Sequence, residues 1–291
     1  MRRSTDTGGA LMPIQPAIPF GGLAGLRFLD QTIDRQTATF NSSVDVQREV
    51  DYFLENASNV TSVEQLVGDR RLLGVVLGAF GLDEDIDKGA FIRKVIEEGS
   101  QERTAFANRL VEPAYREMAE FLGFGDFGGT LVFENTRLNI VDRYLERQFE
   151  LSVGDIDLNL RLALNFRREA AEVAASNQDD DTAFLLLLGS QPLRSVIEGA
   201  LNLPTEFGTI DLDQQVEEIK DRASSFFGTS SPRELFTGDG LSQFVERFML
   251  NQQLREGAIS PTTNGANALT LLQSGGFAGG AQANLFQSLI G

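Results

Sequence analysis

The chain has 291 residues, 42% of them hydrophobic and 23% charged, the balance of a globular protein with a real core. Its 25 basic and 42 acidic side chains leave a net charge of −17, a field that repels phosphate backbones and anionic lipid, so no nucleic-acid partner is expected. Cysteine, histidine and tryptophan are absent; that removes disulfides, thiolate nucleophiles, zinc–thiolate and imidazole-ligated metal sites, and the Ser-His-Asp triad. The expectation is a protein that is not an enzyme and carries no metal or cofactor.

The opening "MRRSTDTGGALMPIQPAIPFGG" has two arginines but no continuous apolar segment, so it does not read as a Sec or twin-arginine signal. Residues 1–21 read as a Pro- and Gly-containing arm that orders on contact, with Met1 and Met12 both plausible starts. From Leu23 the pattern is helical. Leu26, Leu29, Ile33 and Phe40 fall on one face of a helix ending near Asn41, and Leu138, Val141, Leu145 and Phe149 repeat the spacing later. "SVEQ" at 62–65 is a capping box, and "SPRE" at 231–234 places proline at a first helical position. Alternating β-branched stretches are nearly absent. The longest apolar run, "AFLLLLG" at 183–189, is core-sized, well short of the roughly 18 residues of a membrane span. The predicted fold class is all-α.

Several segments invite a chemical reading and resist it. Asp83, Asp85 and Asp87 in "DEDIDKGAF" occupy the first three ligand positions of a calcium loop, but Lys88 sits where its glycine belongs and Lys94 where its bidentate glutamate belongs. An acidic start to a helix near Asp87 explains them instead, as "NQDDD" at 177–181 does for the helix of "TAFLLLL". Arg27 and Arg143 lie off the apolar stripe with Asp30 and Glu146 three residues on, the pattern of i,i+3 pairs. Asp155 and Asp157 are a pair expected by chance among so many carboxylates. "GFGDFGG" at 123–129 lacks the lysine-serine signature of a phosphate loop and reads as a linker.

A duplication organises the rest. "GDRRLLGVVLGAFGL" at 68–82 matches "GSQPLRSVIEGALNL" at 189–203 at a constant offset of 121 (189 − 68), pairing Gly78 with Gly199 and Leu82 with Leu203. Upstream, Arg27, Phe28 and Leu29 pair with Arg143, Tyr144 and Leu145 at 116 (143 − 27), and Arg247, Phe248 and Met249 open a third copy that does not continue. The predicted organisation is an arm at 1–21, helical units at 22–128 and 129–237, a closing helix at 238–263 and a Gly/Gln/Asn-rich tail at 264–291. The third copy is expected to supply the packing that each earlier unit obtains from its successor. Gly78 and Gly199, mid-helix at a cost of about 1 kcal/mol against alanine, mark close helix–helix approach.

The tail is the candidate interaction segment, through Phe277, Leu285, Phe286, Leu289 and Ile290. Burying the last four is worth roughly 6 to 12 kcal/mol gross, against roughly 10 to 20 for ordering some ten residues, so the segment is expected to fold only on a preformed groove of its own body or a neighbour.

The stretches "RFLDQTIDRQ", "DYFLENASNVTSVEQLVGDRRLLGVVLGAFGL", "FIRKVIEEG", "FLGFGDFG", "LNLPTEFGTIDLDQQV" and "NALTLLQ" together resemble a bacterial family that carries a domain of unknown function and occurs in flagellar gene clusters of alphaproteobacteria. The likeness runs from about Pro13 to Gln273 and implies a helical fold and a flagellar association, with no catalytic residues to carry over. The expected role is a structural or assembly component of the flagellum, exported without a Sec signal, that associates with itself as a homo-oligomer or with other flagellar proteins. The alternative is a cytoplasmic adaptor or export-chaperone-like module.

Overall fold

The computed structural model describes residues 15–176 and 179–259, and among these it is all-α, without a strand. In chain order the helices are α1 (Gly22–Asn41), α2 (Val44–Asn56), α3 (Val63–Gly68), α4 (Arg70–Phe80), α5 (Gly89–Glu98), α6 (Pro113–Leu122), α7 (Phe124–Phe127), α8 (Glu134–Gly154), α9 (Leu158–Ala175), α10 (Asp180–Gly189), α11 (Gln191–Ala200), α12 (Leu212–Phe227), α13 (Pro232–Leu235) and α14 (Gly238–Ile259). No helix among the described residues is long and apolar enough to cross a membrane.

Local chemistry sets many of the boundaries. Ser62 accepts from the Gln65 N–H to cap α3, and the Gln65 side chain reaches back to the Thr61 N–H, one residue before the usual capping-box partner. Asp69 caps α4 by accepting from the N–H groups of Arg71 and Leu72, Asp157 caps α9, and Asp179 caps α10. The ends of α4 and α11 are built alike. Leu82 N–H bonds to Leu77 O and Leu203 N–H to Glu198 O, both at 2.9 Å, which satisfies carbonyls left open by each last turn. The left-handed residue this closure needs is Gly81 (φ 72°) in α4, and at the matching position Asn202 (φ 50°), the residue type that tolerates it next best.

The same correspondence extends to packing. α4 lies on α8, with α2 and α3 beside it; α11 lies on α14, with α9 and α10 beside it. A Cβ on Gly78 would stand 2.8 Å from Tyr144 Cδ2 and 3.1 Å from Gln148 Nε2, and a Cβ on Gly199 would stand 2.7 Å from Phe248 Cδ2 and 3.0 Å from Gln252 Nε2. Ring and amide sit four residues apart on both receiving helices. Each glycine thus leaves room for a ring and an amide of the facing helix to pack directly on its backbone.

Two buried clusters form the interior, and they part inside α8 instead of at residues 128–129. Ile140, Val141 and Tyr144 join the cluster running from Val50 to Leu131, whereas Phe149 and Val153 join the one built from α9, α11 and α14. The sequence assigns helix α1 to the first unit, yet Leu26, Leu29 and Phe40 are buried in the second cluster. A helix with one partner keeps a single stripe, but α8 serves two and its buried face rotates along its length. That is why Leu138 is 44% exposed although it continues the predicted stripe.

Other expectations change for reasons of contact. The helix after the acidic run starts at Gly89 with no acid in its first turn, so its dipole does not account for Asp83, Asp85 and Asp87. Asp83 accepts from Gln148 Nε2 at 2.7 Å, Asp85 accepts from Lys88 and from the Tyr115 hydroxyl, and Asp87 pairs with Arg70 at 2.6 Å. "GFGDFGG" is no bare linker: it contains α7, whose Asp126 accepts from the N–H groups of Ser100 and Gln101. Arg27 pairs with Glu246 at 3.3 Å and Arg143 with Glu117, in place of the i,i+3 partners. Asp30 instead holds Arg167.

Candidate functional site

A cleft of about 480 Å³ opens where α8 and α9 diverge, with the start of α6, the end of α10 and the turn into α11 around its rim. Its floor carries Glu146, Arg147 and Glu150 from α8 and Arg161, Asn165, Arg168 and Glu169 from α9. Leu158, Leu162 and Leu186 supply apolar wall, and carboxylates outnumber guanidinium groups along the lining.

The ionic groups address one another. The Arg168 guanidinium donates from Nε and Nη2 to the two oxygens of Glu150, both at 2.9 Å, and from Nη1 to Glu169 at 3.3 Å. Glu169 also pairs with Arg147 at 3.1 Å and accepts from Asn165 Nδ2 at 3.0 Å. Burial opposes the charge on Arg168, but the hydrogen bonds and charge of Glu150, with Glu169 and Glu146 behind it, hold its pKa above the ordinary arginine value. Burial pushes the Glu146 carboxyl up, Arg168 draws it back, and Glu150 and Glu172 add repulsion; the outcome lies above the usual carboxylate range. Tyr144, beneath the adjoining stretch of α8, is pushed up to about 12 by burial first and then by Glu49 and Asp83.

Chemically the arrangement is a two-helix clamp. Its one raised carboxyl, Glu146, has Arg168 at 3.9 Å and no hydroxyl, thiol or imidazole as a nucleophilic partner among the lining groups other than Ser190 at the rim. Asn165 Oδ1 is shielded from solvent without a hydrogen-bond partner. Among the described residues no group of three or more acidic side chains is placed to hold a metal ion. The Asp157 carboxylate is used as the cap of α9, accepting from Asn159 and Leu160 N–H, and Asp155 follows the last residue of α8, where its backbone N–H bonds to Leu151 O.

The interaction residues expected from sequence, Phe277, Leu285, Phe286, Leu289 and Ile290, lie outside the described residues. The structure instead exposes a different apolar set where α7 meets α8: Phe127 at 70% and Phe133 at 62%, with Val132 between them. The clamp went unread in the sequence. Its signal was the like-charged pair Glu146 and Glu150, one turn apart on a single helix, which is unfavourable unless a cation from elsewhere lies between them.

Comparison with known proteins gives two likenesses. A family model described as "Protein of unknown function (DUF1217)" matches residues 79–235, more than half of the chain. The X-ray crystal structure of protein AGR_C_984 from Agrobacterium tumefaciens is similar with a TM-score of 0.66 and 26% sequence identity, over 83% of this chain and 99% of that one. No curated protein matches.

Proposed function

The chain belongs to the DUF1217 family of proteins of unknown function, and we propose that it is a non-enzymatic, flagellum-associated structural or assembly protein of an alphaproteobacterium. The observation that carries this reading is how the ionisable groups are used. In the cleft between α8 and α9, arginines and glutamates pair across the two helices, while large apolar side chains such as Phe127, Val132 and Phe133 face outward. Buried, mutually satisfied ion pairs fix helices against one another, and exposed aromatic side chains are what contact surfaces are made of. The likeness to a family found in flagellar gene clusters supplies the setting, and the source of the solved relative, Agrobacterium tumefaciens, is in keeping with it. A chain without cysteine, histidine or tryptophan also suits an exported, chemically inert subunit that packs on itself or on axial proteins.

The second reading, a cytoplasmic adaptor or export-chaperone-like module, draws on the excess of carboxylates in the cleft, which suits a basic segment of a partner. Fractionation of a tagged, flagellated cell separates the two. Recovery in sheared filaments or hook–basal-body preparations supports the structural role, recovery with soluble export factors supports the adaptor, and normal motility and flagellar number after deletion refute both.

A further inference from the structure

We propose that the chain beyond α14 returns onto α14 and docks Leu272 against Leu250 and Leu254, in the position that α9 occupies on α8. Tyr144 and Gln148 of α8 receive Gly78, and Phe248 and Gln252 of α14 receive Gly199, which fixes one register between the two long helices. Carried along that register, Glu146 and Glu150 of α8 correspond to Leu250 and Leu254 of α14. On α8, Glu150 lies under α9 and is 7% exposed, while Glu146 stays open to solvent on one side with Arg168 of α9 at 3.9 Å. On α14 nothing described covers the corresponding pair: Leu250 is 45% and Leu254 58% exposed.

The other faces of α14 are taken. Phe244, Val245 and Phe248 are buried in the second cluster, Glu246 pairs with Arg27 of α1, and Glu256 accepts from Asn159 Nδ2 at the start of α9. Among the described residues, the face of α14 that corresponds to the α9-bearing face of α8 is left open, and the sequence that follows α14 stands where α9 stands after α8.

The chemistry on both sides changes together. Arg168 is the residue of α9 that answers Glu150, and the same register brings its position to Leu272, with Asn165 brought to Leu269. The two positions that form an ion pair between α8 and α9 are both leucine in the corresponding sequence, Leu254 and Leu272. No charged residue follows Glu256 in the sequence, although 23% of the chain is charged. A segment with no charge of its own fits an apolar face and offers no counter-ion to an acidic one.

The absence of native cysteine makes the test clean. A Leu254→Cys, Leu272→Cys double variant of the full chain, checked for native helicity by circular dichroism, is treated at low concentration with a short bis-maleimide. Val111→Cys, Leu272→Cys is the control, because Val111 is exposed and lies in the first half of the chain. The expected result is an efficient intramolecular cross-link in the first variant, at least tenfold faster than in the control. A cross-link that forms only between chains assigns the face to a second copy and overturns the proposal. Equal rates in both variants, or no cross-link in either, overturn it as well.

Discussion

Replacing Gly78 by alanine tests the claim that this glycine exists for the approach of α4 to α8. Away from contacts, Gly→Ala in a helix interior stabilises by about 1 kcal/mol. Gly74, one turn earlier in α4, meets that condition, because its new Cβ would find only Ile86 Cδ1 at 3.9 Å, an ordinary contact. At Gly78 the methyl would arrive 2.8 Å from a ring carbon of Tyr144, itself buried in the first cluster, so the two helices must separate by several tenths of an ångström. Overpacking of that kind costs about 1 to 3 kcal/mol, and a contact this short against a ring that cannot swing aside belongs in the upper half. The net expectation is destabilisation by about 1 to 2 kcal/mol for Gly78→Ala, the same for Gly199→Ala against the fully buried Phe248, and stabilisation by about 0.5 to 1 kcal/mol for Gly74→Ala. Urea denaturation followed by far-ultraviolet circular dichroism reads all three. If Gly78→Ala or Gly199→Ala raises the midpoint as Gly74→Ala does, close approach is not what these glycines provide.

Truncating Arg168 to alanine leaves Glu150 buried without its partner and should destabilise by about 3 to 5 kcal/mol, whereas Glu150→Leu with Arg168→Leu should fall near the parent; equal losses would contradict the clamp. Asp69→Ala removes the cap of α4 and should cost about 1 to 2 kcal/mol by the same denaturation assay. Burial pushes the Asp69 carboxyl up, but hydrogen bonds from Tyr52 and from Leu72 and Arg71 N–H hold it below its ordinary value. Its contribution is therefore complete above its ordinary pKa of about 4 and lost as pH falls through the lowered folded-state value, so the gap between parent and Asp69→Ala should narrow in acid; a gap that widens as pH falls would refute the assignment. Millimolar calcium should leave the melting temperature unchanged, since Asp83, Asp85 and Asp87 bond to Gln148, to Lys88 with Tyr115, and to Arg70; a rise of several degrees would show a site these contacts do not reveal.

What the sequence determined by itself is what local chemistry controls. The spacing of Leu26, Leu29 and Phe40, the cap at Ser62, the proline that opens the helix at Pro232, and the lack of alternating β-branched stretches specify helices because periodicity and helix-start chemistry are satisfied within a few residues. The match of 68–82 with 189–203 placed α4 and α11, since apolar and glycine positions repeat wherever the same packing is made twice. The tertiary structure decided everything that depends on which surfaces meet. Whether Asp30 pairs with Arg27 or Arg167, whether Glu146 and Glu150 repel or share Arg168, and whether α1 belongs with the helices that follow it or with α14 are questions of distance through space, and residues far apart in the chain settle them. For the same reason the division between the two cores falls within α8: a helix carries one sequence but has several faces, and only its neighbours determine which of them is buried.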